Sequence, residues 1–455
     1  MKTATKQFHC QLAQKSGRRR KLSNKETLMK RSILLISYTA VSMVAMILAF
    51  QPFALSQHAA ERSPGARLEV LYTFETVKDG FFPEGVLIQD ASGTLYGAAA
   101  MGGHGNCATN ESIGCGLIFK LDKTGKKTDL HDFNGEDGSV PNEDLVRDAA
   151  GNLYGTTVFG GTRGTGTCFD PAAGGCGVVF KLDTRGNETV LHDFTGNADG
   201  AHPGAGLVLD TSGNLYGTTC GGSCGAVSHD SFGEVFKIDA AGHLTVLHSF
   251  TSGQDGAAPS ATLLRDAAGD LYGTTNWGGG GGGGTVFKID THGKETVLYS
   301  FTGGADGGAP YGRLIQDAAG NFYGTTSSGG DLSCNVLSPP GCGVVFKLSM
   351  NGHETVLHRF TGAKDGSFPT AGLVGVGKDT LYGTTNLGGN PNCSDQGLPG
   401  CGVVFKMDTR GHETVLHSFT GGADGLNPAL GGLLRDASGN LYGTNVAGVV
   451  FKLTP

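Results

Sequence analysis

The sequence holds no Cys-x-x-Cys, no His-Glu-x-x-His, no Walker loop, no EF-hand loop and no nucleophile elbow set between a strand and a helix. Those absences remove the motif-borne zinc, haem, nucleotide, calcium-loop and serine-hydrolase sites. Tryptophan occurs once, at Trp277. Positive charge is scarce outside one segment. Ten of the 34 Lys and Arg and one of the 41 acids fall within 1–31, which leaves 24 bases against 40 acids, a net −16, for the rest. An acidic body of that kind repels phosphate-rich partners, so no nucleic acid is expected to bind.

What the chain has in excess is glycine, 79 of 455 residues, about 17% against roughly 7% in average proteins. The glycines stand at fixed places between apolar runs, where turn geometry uses them. The frame is set by Leu-Tyr-Gly-Thr-Thr or a close variant, with tyrosines at Tyr96, Tyr154, Tyr216, Tyr272, Tyr323, Tyr382 and Tyr442. Their gaps of 58, 62, 56, 51, 59 and 60 residues mark a tandem repeat. Around each tyrosine the same segments return. In the third unit a short apolar run at 206–209 meets an Asp-x-x-Gly-Asn turn, then the pentapeptide, a Gly-rich loop, 233–239 (GEVFKID), a tight turn and 244–250 (LTVLHSF). Each apolar piece is four to seven residues, rich in Val, Leu, Phe, Tyr and Thr, and bounded by turn formers. Four antiparallel strands repeated seven times predict an all-β fold, a seven-bladed β-propeller.

Three regions follow. Residues 1–56 are a basic segment plus an uncharged run of 19 residues at 32–50, long enough for a signal or an anchor helix. Cleavage after Ser56, behind Ala54-Leu55-Ser56, and retention as an anchor both remain open. Residues 57–67 are a linker and 68–455 the propeller. The run 68–74 (LEVLYTF) matches a fourth strand with no unit before it, and 448–453 (GVVFKL) matches a third strand with no fourth after it. The N-terminal strand is therefore expected to pair in the last blade and close the ring. Both tight turns of a blade fall on one face of the disc and both long loops on the other.

Of eleven cysteines, Cys10 lies in the basic tail and ten fall in pairs within the long loops: Cys107 with Cys115, Cys168 with Cys176, Cys220 with Cys224, Cys334 with Cys342, and Cys393 with Cys401. Downstream of an export signal, that spacing predicts local disulfides. Each nine-residue closure contributes roughly 2–3 kcal/mol in the chain-entropy model.

Every blade carries Asp-Gly-x-x-Pro after its fourth strand, with Asp79, Asp137, Asp199, Asp255, Asp306, Asp365 and Asp424. Carboxylates on one face raise calcium as a ligand. A turn closed by Asp-Gly and fixed by Pro explains all seven copies equally, so no cofactor or metal is expected. His131, His192, His248, His358 and His417 share one frame of the fourth strand, spread around the rim and unable to converge on one metal. Trp277, on a loop of the long-loop face ahead of Gly278 to Gly284, has two readings, packing back onto its own blade or stacking on a sugar. Together with Asp199, Asp255 and Asp306 it marks the candidate ligand face. The repeat positions read as nearly identical in all blades, and no catalytic residues emerge.

The recurrence of LYGTT, a Gly-rich loop, GVVFK and ETVLHSF with its Asp-Gly turn resembles the GloVer tandem-repeat family of exported bacterial proteins, over residues 68–453. The resemblance implies a propeller-like repeat domain and brings no activity or catalytic residue with it. The sequence thus reads as an exported binding or interaction module of the cell envelope or extracellular space, whether periplasmic, membrane-tethered by its N-terminus or secreted. Its expected state is a monomer with a protein or carbohydrate ligand, touching membrane only through 32–50. The alternative is a propeller-type lyase or hydrolase with its site at the channel mouth on the long-loop face.

Overall fold

In six of the seven blades the turn between the first and second strands is built around an aspartate. Asp210 Oδ1 accepts the N–H groups of Ser212 and Asn214 at 2.9 Å, and Oδ2 accepts Asn214 Nδ2 at 2.8 Å and the Tyr216 hydroxyl at 3.2 Å. Gly213 takes φ +84° at the bend, which costs glycine nothing. The chain leaving Val208–Leu209 is thereby turned back as Leu215–Thr219, which pairs in turn with Glu234–Ile238 and Leu244–Ser249.

The computed structural model describes residues 65–455 except 106–113, 142–143, 163–173, 222–230, 335–338, 377–378, 396 and 429–431. Seven four-stranded antiparallel sheets form a seven-bladed propeller, with the strands in chain order in six blades and the N-terminal strand as the fourth strand of the last. The ring closes as expected. Arg67–Thr73 pairs antiparallel with Val449–Thr454, setting Leu68 opposite Leu453, Val70 opposite Phe451 and Tyr72 opposite Val450. The basic and hydrophobic segments at 1–56 lie outside the described residues, among which no helix is long and apolar enough to cross a membrane.

The core lies between blades. A phenylalanine closing each fourth strand meets the third-strand phenylalanine of the next blade edge to face, as Phe250 meets Phe287 at 5.1 Å between ring centroids, and Phe74 meets Phe119 at 5.2 Å across the closure. Seven such contacts stitch the ring. The glycine of Leu-Tyr-Gly-Thr-Thr makes room for that ring. A Cβ at Gly217 would stand 2.5 Å from Phe236 Cζ, so any side chain there would displace it. Four of the third-strand lysines, Lys181, Lys237, Lys288 and Lys347, lay their amines over the neighbouring tyrosines, Lys237 at 5.9 Å from the Tyr216 centroid.

The long loops carry the cysteines. Cys334–Cys342 and Cys393–Cys401 are disulfides with Cα separations of 5.6 and 5.7 Å. Cys115, Cys176 and Cys220 are also disulfide-bonded, while Cys107, Cys168 and Cys224 lie outside the described residues. Bonds of this kind are consistent with an extracellular or periplasmic location.

Candidate functional site at the mouth of the central channel

The Asp-Gly-x-x-Pro loops lead from the rim to the channel, and their aspartates are engaged at the rim. Asp199 accepts the Thr195 N–H at 2.9 Å and hydroxyl at 2.6 Å, and His192 Nε2 stands 3.2 Å away. Burial works to raise its pKa, but the bonds from His192 and Thr195 outweigh that and hold it at about 2. Asp255 is held by Thr251 and faces His248 at 3.4 Å; Asp306 is held by Thr302 and by the Tyr299 hydroxyl at 3.1 Å. The histidine frame and the aspartate frame are thus one device, and Tyr72 and Tyr299 take the histidine's part by donating to Asp79 and Asp306.

Three residues on from each aspartate, the loop fastens one blade to the next. The residue before each proline takes a left-handed backbone in all seven blades: Phe82, Val140, His202, Ala258, Ala309, Phe368 and Asn427, with φ from 52° to 60°. Such a conformation costs a non-glycine residue about 1–3 kcal/mol, and the geometry it permits offsets that cost. The N–H of Phe368 donates to the Cys342 carbonyl of the preceding blade at 3.0 Å, and its carbonyl accepts from Asn386 of its own blade at 3.1 Å. Pro369 packs on Gly343, where a Cβ would lie 2.7 Å from the proline ring. A disulfide therefore pins the acceptor of this joint at Cys342 and again at Cys401, which accepts from Asn427 at 2.8 Å.

Past the proline the blades cease to be alike. The position before the buried leucine of each first strand is Val86, Asp144, Gly206, Thr262, Arg313, Gly372 and Gly432 in blades one to seven. These seven come together around the central channel. Asp144 Oδ1 accepts the Val86 N–H at 2.7 Å, Thr262 donates to Asp144 Oδ2 at 3.1 Å, and Thr262 Oγ1 accepts the Gly206 N–H at 3.1 Å. Arg313 reaches Asp144 Oδ2 at 3.5 Å. Blades two and five stand on opposite sides of a seven-membered ring, so this ion pair spans the channel and, with Thr262, floors its upper mouth. The glycines make room: a Cβ at Gly372 would sit 2.4 Å from Arg313 Cγ, and one at Gly206 would sit 2.6 Å from Asp144 Cβ.

Above that floor, the residue after each proline also varies. Blades four to six carry hydroxyl and amide groups there: Asn276 donates to Ser260 at 2.6 Å, Asn386 donates to Thr370 at 3.1 Å, and Tyr311 is followed in its blade by Ser327, which bonds the Ala309 carbonyl at 3.1 Å. Burial pushes the Tyr311 phenol up to about 12. Glu84, from blade one, is 5% exposed, and burial raises its carboxyl to about 8. Trp277 follows Asn276 directly, half-buried, its backbone bridged to Ala257. Among the described residues no cluster of three or more His, Cys, Asp or Glu is arranged to hold a metal ion.

Reading the repeat as uniform missed this layer. Its signal is present at the position just before the leucine, where seven blades hold five different residues, and three of those residues are polar.

Virginiamycin B lyase from Staphylococcus aureus, in a catalytically inactive variant with quinupristin, superimposes with a TM-score of 0.55 at 12% identity over 86% of this chain and 99% of that one. A gluconolactonase from Xanthomonas campestris aligns at 13% identity over 89% of this chain and 98% of that one, with a TM-score of 0.42. At these identities the likeness is one of fold. No curated protein matches the sequence. The Gloeobacter/Verrucomicrobia repeat model matches residues 61–175, 170–394 and 336–455. With every blade inside those matches, the chain belongs to the Gloeobacter/Verrucomicrobia repeat family.

Proposed function

We propose that the protein is an exported binding module that takes a carbohydrate ligand at the channel mouth on the long-loop face, over blades four to six. The observation that carries this reading is the blade-to-blade variation of the side chains in the layers around the channel, while the joints and the packing repeat seven times. A propeller that served only as architecture has no need for different side chains there. Amides and hydroxyls from Ser260, Asn276, Thr370 and Asn386 offer paired donors and acceptors of the kind a polyol exchanges for water, and Trp277 beside them offers an aromatic face. Asp199, Asp255 and Asp306 belong to the same face but already accept hydrogen bonds from their own loops, so their part is to hold it in shape.

A glycan array probed with the protein, followed by calorimetry on the best oligosaccharide, tests the reading. Binding should fall at least tenfold in Trp277→Ala and in the Asn276→Ala/Asn386→Ala pair. An empty array, or a ligand indifferent to both variants, overturns it. The lyase or hydrolase alternative has one observation in its favour, the buried carboxyl of Glu84 at the same mouth, which burial raises to about 8. Turnover of the bound oligosaccharide that is lost in Glu84→Gln would favour that alternative.

A further inference from the structure

The tight-turn face, opposite the channel mouth, holds a second departure from the repeat. In five of the seven blades the third residue of the first strand's apolar run is a long polar side chain, and in two of them it is an arginine that reaches back over the tyrosine of the preceding blade. Arg147 lies over the ring of Tyr96 at 5.8 Å, and Arg265 lies over Tyr216 at 5.5 Å with its guanidinium 3.9 Å from Asp210. The molecule thus shows twice that the tyrosine of one blade accepts an arginine from the next, and once, at Arg265, that the turn aspartate pairs with it. In blade six that position is Gly375, and the turn aspartate of the blade is replaced by Val376. Val376 extends the strand, pairing with Thr380, and carries the hairpin out to Asp379.

The consequence is a cleft of about 210 Å³ between blades five and six, lined by Asp317, Tyr323, Gly375, Asp379 and Thr409 among others. Its volume is below the roughly 300–1,000 Å³ of small-molecule pockets and suits a single side chain. Asp317 and Tyr323 keep the arrangement of their counterparts, with the Tyr323 hydroxyl donating to Asp317 Oδ2 at 3.0 Å. Lys347 lies over Tyr323 from its own blade, as Lys237 lies over Tyr216, so only the partner from the next blade differs. Asp379 adds a second carboxylate, and it acts on Tyr323, whose phenol is pushed up to about 12 by burial, by Asp317 and then by Asp379.

We propose that this cleft binds the guanidinium of an arginine side chain presented by a partner polypeptide, in the place that Arg265 fills over Tyr216. The net −16 of residues 32–455 favours a basic partner. A planar cation that stacks on an aromatic ring while pairing with a carboxylate is the chemistry guanidinium performs and a neutral isostere does not. The site stands apart from the channel mouth and does not rest on the carbohydrate reading.

The test is fluorescence anisotropy with a labelled Gly/Ser peptide bearing one central arginine and with its citrulline twin, on the full chain at low salt. The arginine peptide should bind at least tenfold tighter than the citrulline peptide. Gly375→Arg, which restores the repeat's own arginine, should abolish that binding while leaving the fold intact by circular dichroism. Asp379→Asn should weaken it about tenfold. Equal binding of the two peptides, or undiminished binding in Gly375→Arg, overturns the assignment. Free L-arginine competing as strongly as the peptide would overturn the polypeptide source, since it would make the ligand a small guanidinium compound.

Discussion

Replacing Phe74 by alanine removes the aromatic contact that spans the closure of the ring. Phe74 is 8% exposed and meets Phe119 edge to face at 5.2 Å. Its N–H donates to the Gly448 carbonyl of the last blade at 2.8 Å. Truncating a buried phenylalanine costs about 3–5 kcal/mol in lost burial and residual cavity. Unfolding entropy of about 2.1 cal/mol/K per residue over roughly 390 residues gives about 0.8 kcal/mol/K, so Tm should drop by about 4–6 °C. The repeat supplies the control, because Phe250 makes the equivalent contact with Phe287 inside the ring at 5.1 Å. Calorimetry of the two alanine variants under one condition should give drops equal within about 2 °C. A drop near zero for Phe74→Ala beside a full drop for Phe250→Ala would show that the N-terminal strand contributes nothing to the seam, and would refute the closure.

Other outcomes follow from the same geometry. The carboxyls of Glu188, Glu295, Glu354 and Glu413 are raised to about 7 by burial, with nearby aspartates adding to the rise. The folded chain keeps these protons where the unfolded chain has released them, so stability should fall as pH rises from about 4.5 to about 7. Denaturant melts across that range should show the fall, and the fourfold Glu→Gln variant should flatten it. Asp199 has the opposite sign: with a folded pKa of about 2, its contribution is full above about 4 and lost as pH falls toward 2, a loss that Asp199→Asn should remove. Asp144→Ala strips the partner from the Val86 N–H, Thr262 and Arg313, and should cost about 1–3 kcal/mol in denaturant titrations. Peptide mapping of the oxidised protein should find Cys107 linked to Cys115 and Cys168 to Cys176; a link between blades would contradict the local pairing.

The sequence by itself determined the blades, their number and the way the ring closes. These rest on local features that repeat: an aspartate that folds a turn within five residues, alternating apolar strands, and a glycine facing the same phenylalanine seven times. Even the odd strand at 68–74 could be assigned, because a count of segments needs no coordinates. Tertiary structure alone decided which unlike residues meet. Asp144 and Thr262 are 118 residues apart, and Asp144 and Arg313 farther still, yet the curvature of the ring brings them within bonding distance at its axis. No periodicity announces such a contact, since each position is a single exception in its own blade. The histidine and aspartate frames looked like separate patterns until the loop from the fourth strand folded one onto the other. In blade six the loss of the turn aspartate could be read along the chain, but the cleft could not. It exists because Gly375 leaves uncovered the tyrosine of the blade before, whose counterpart in the third blade Arg265 covers, and that dependence between blades is made only by packing.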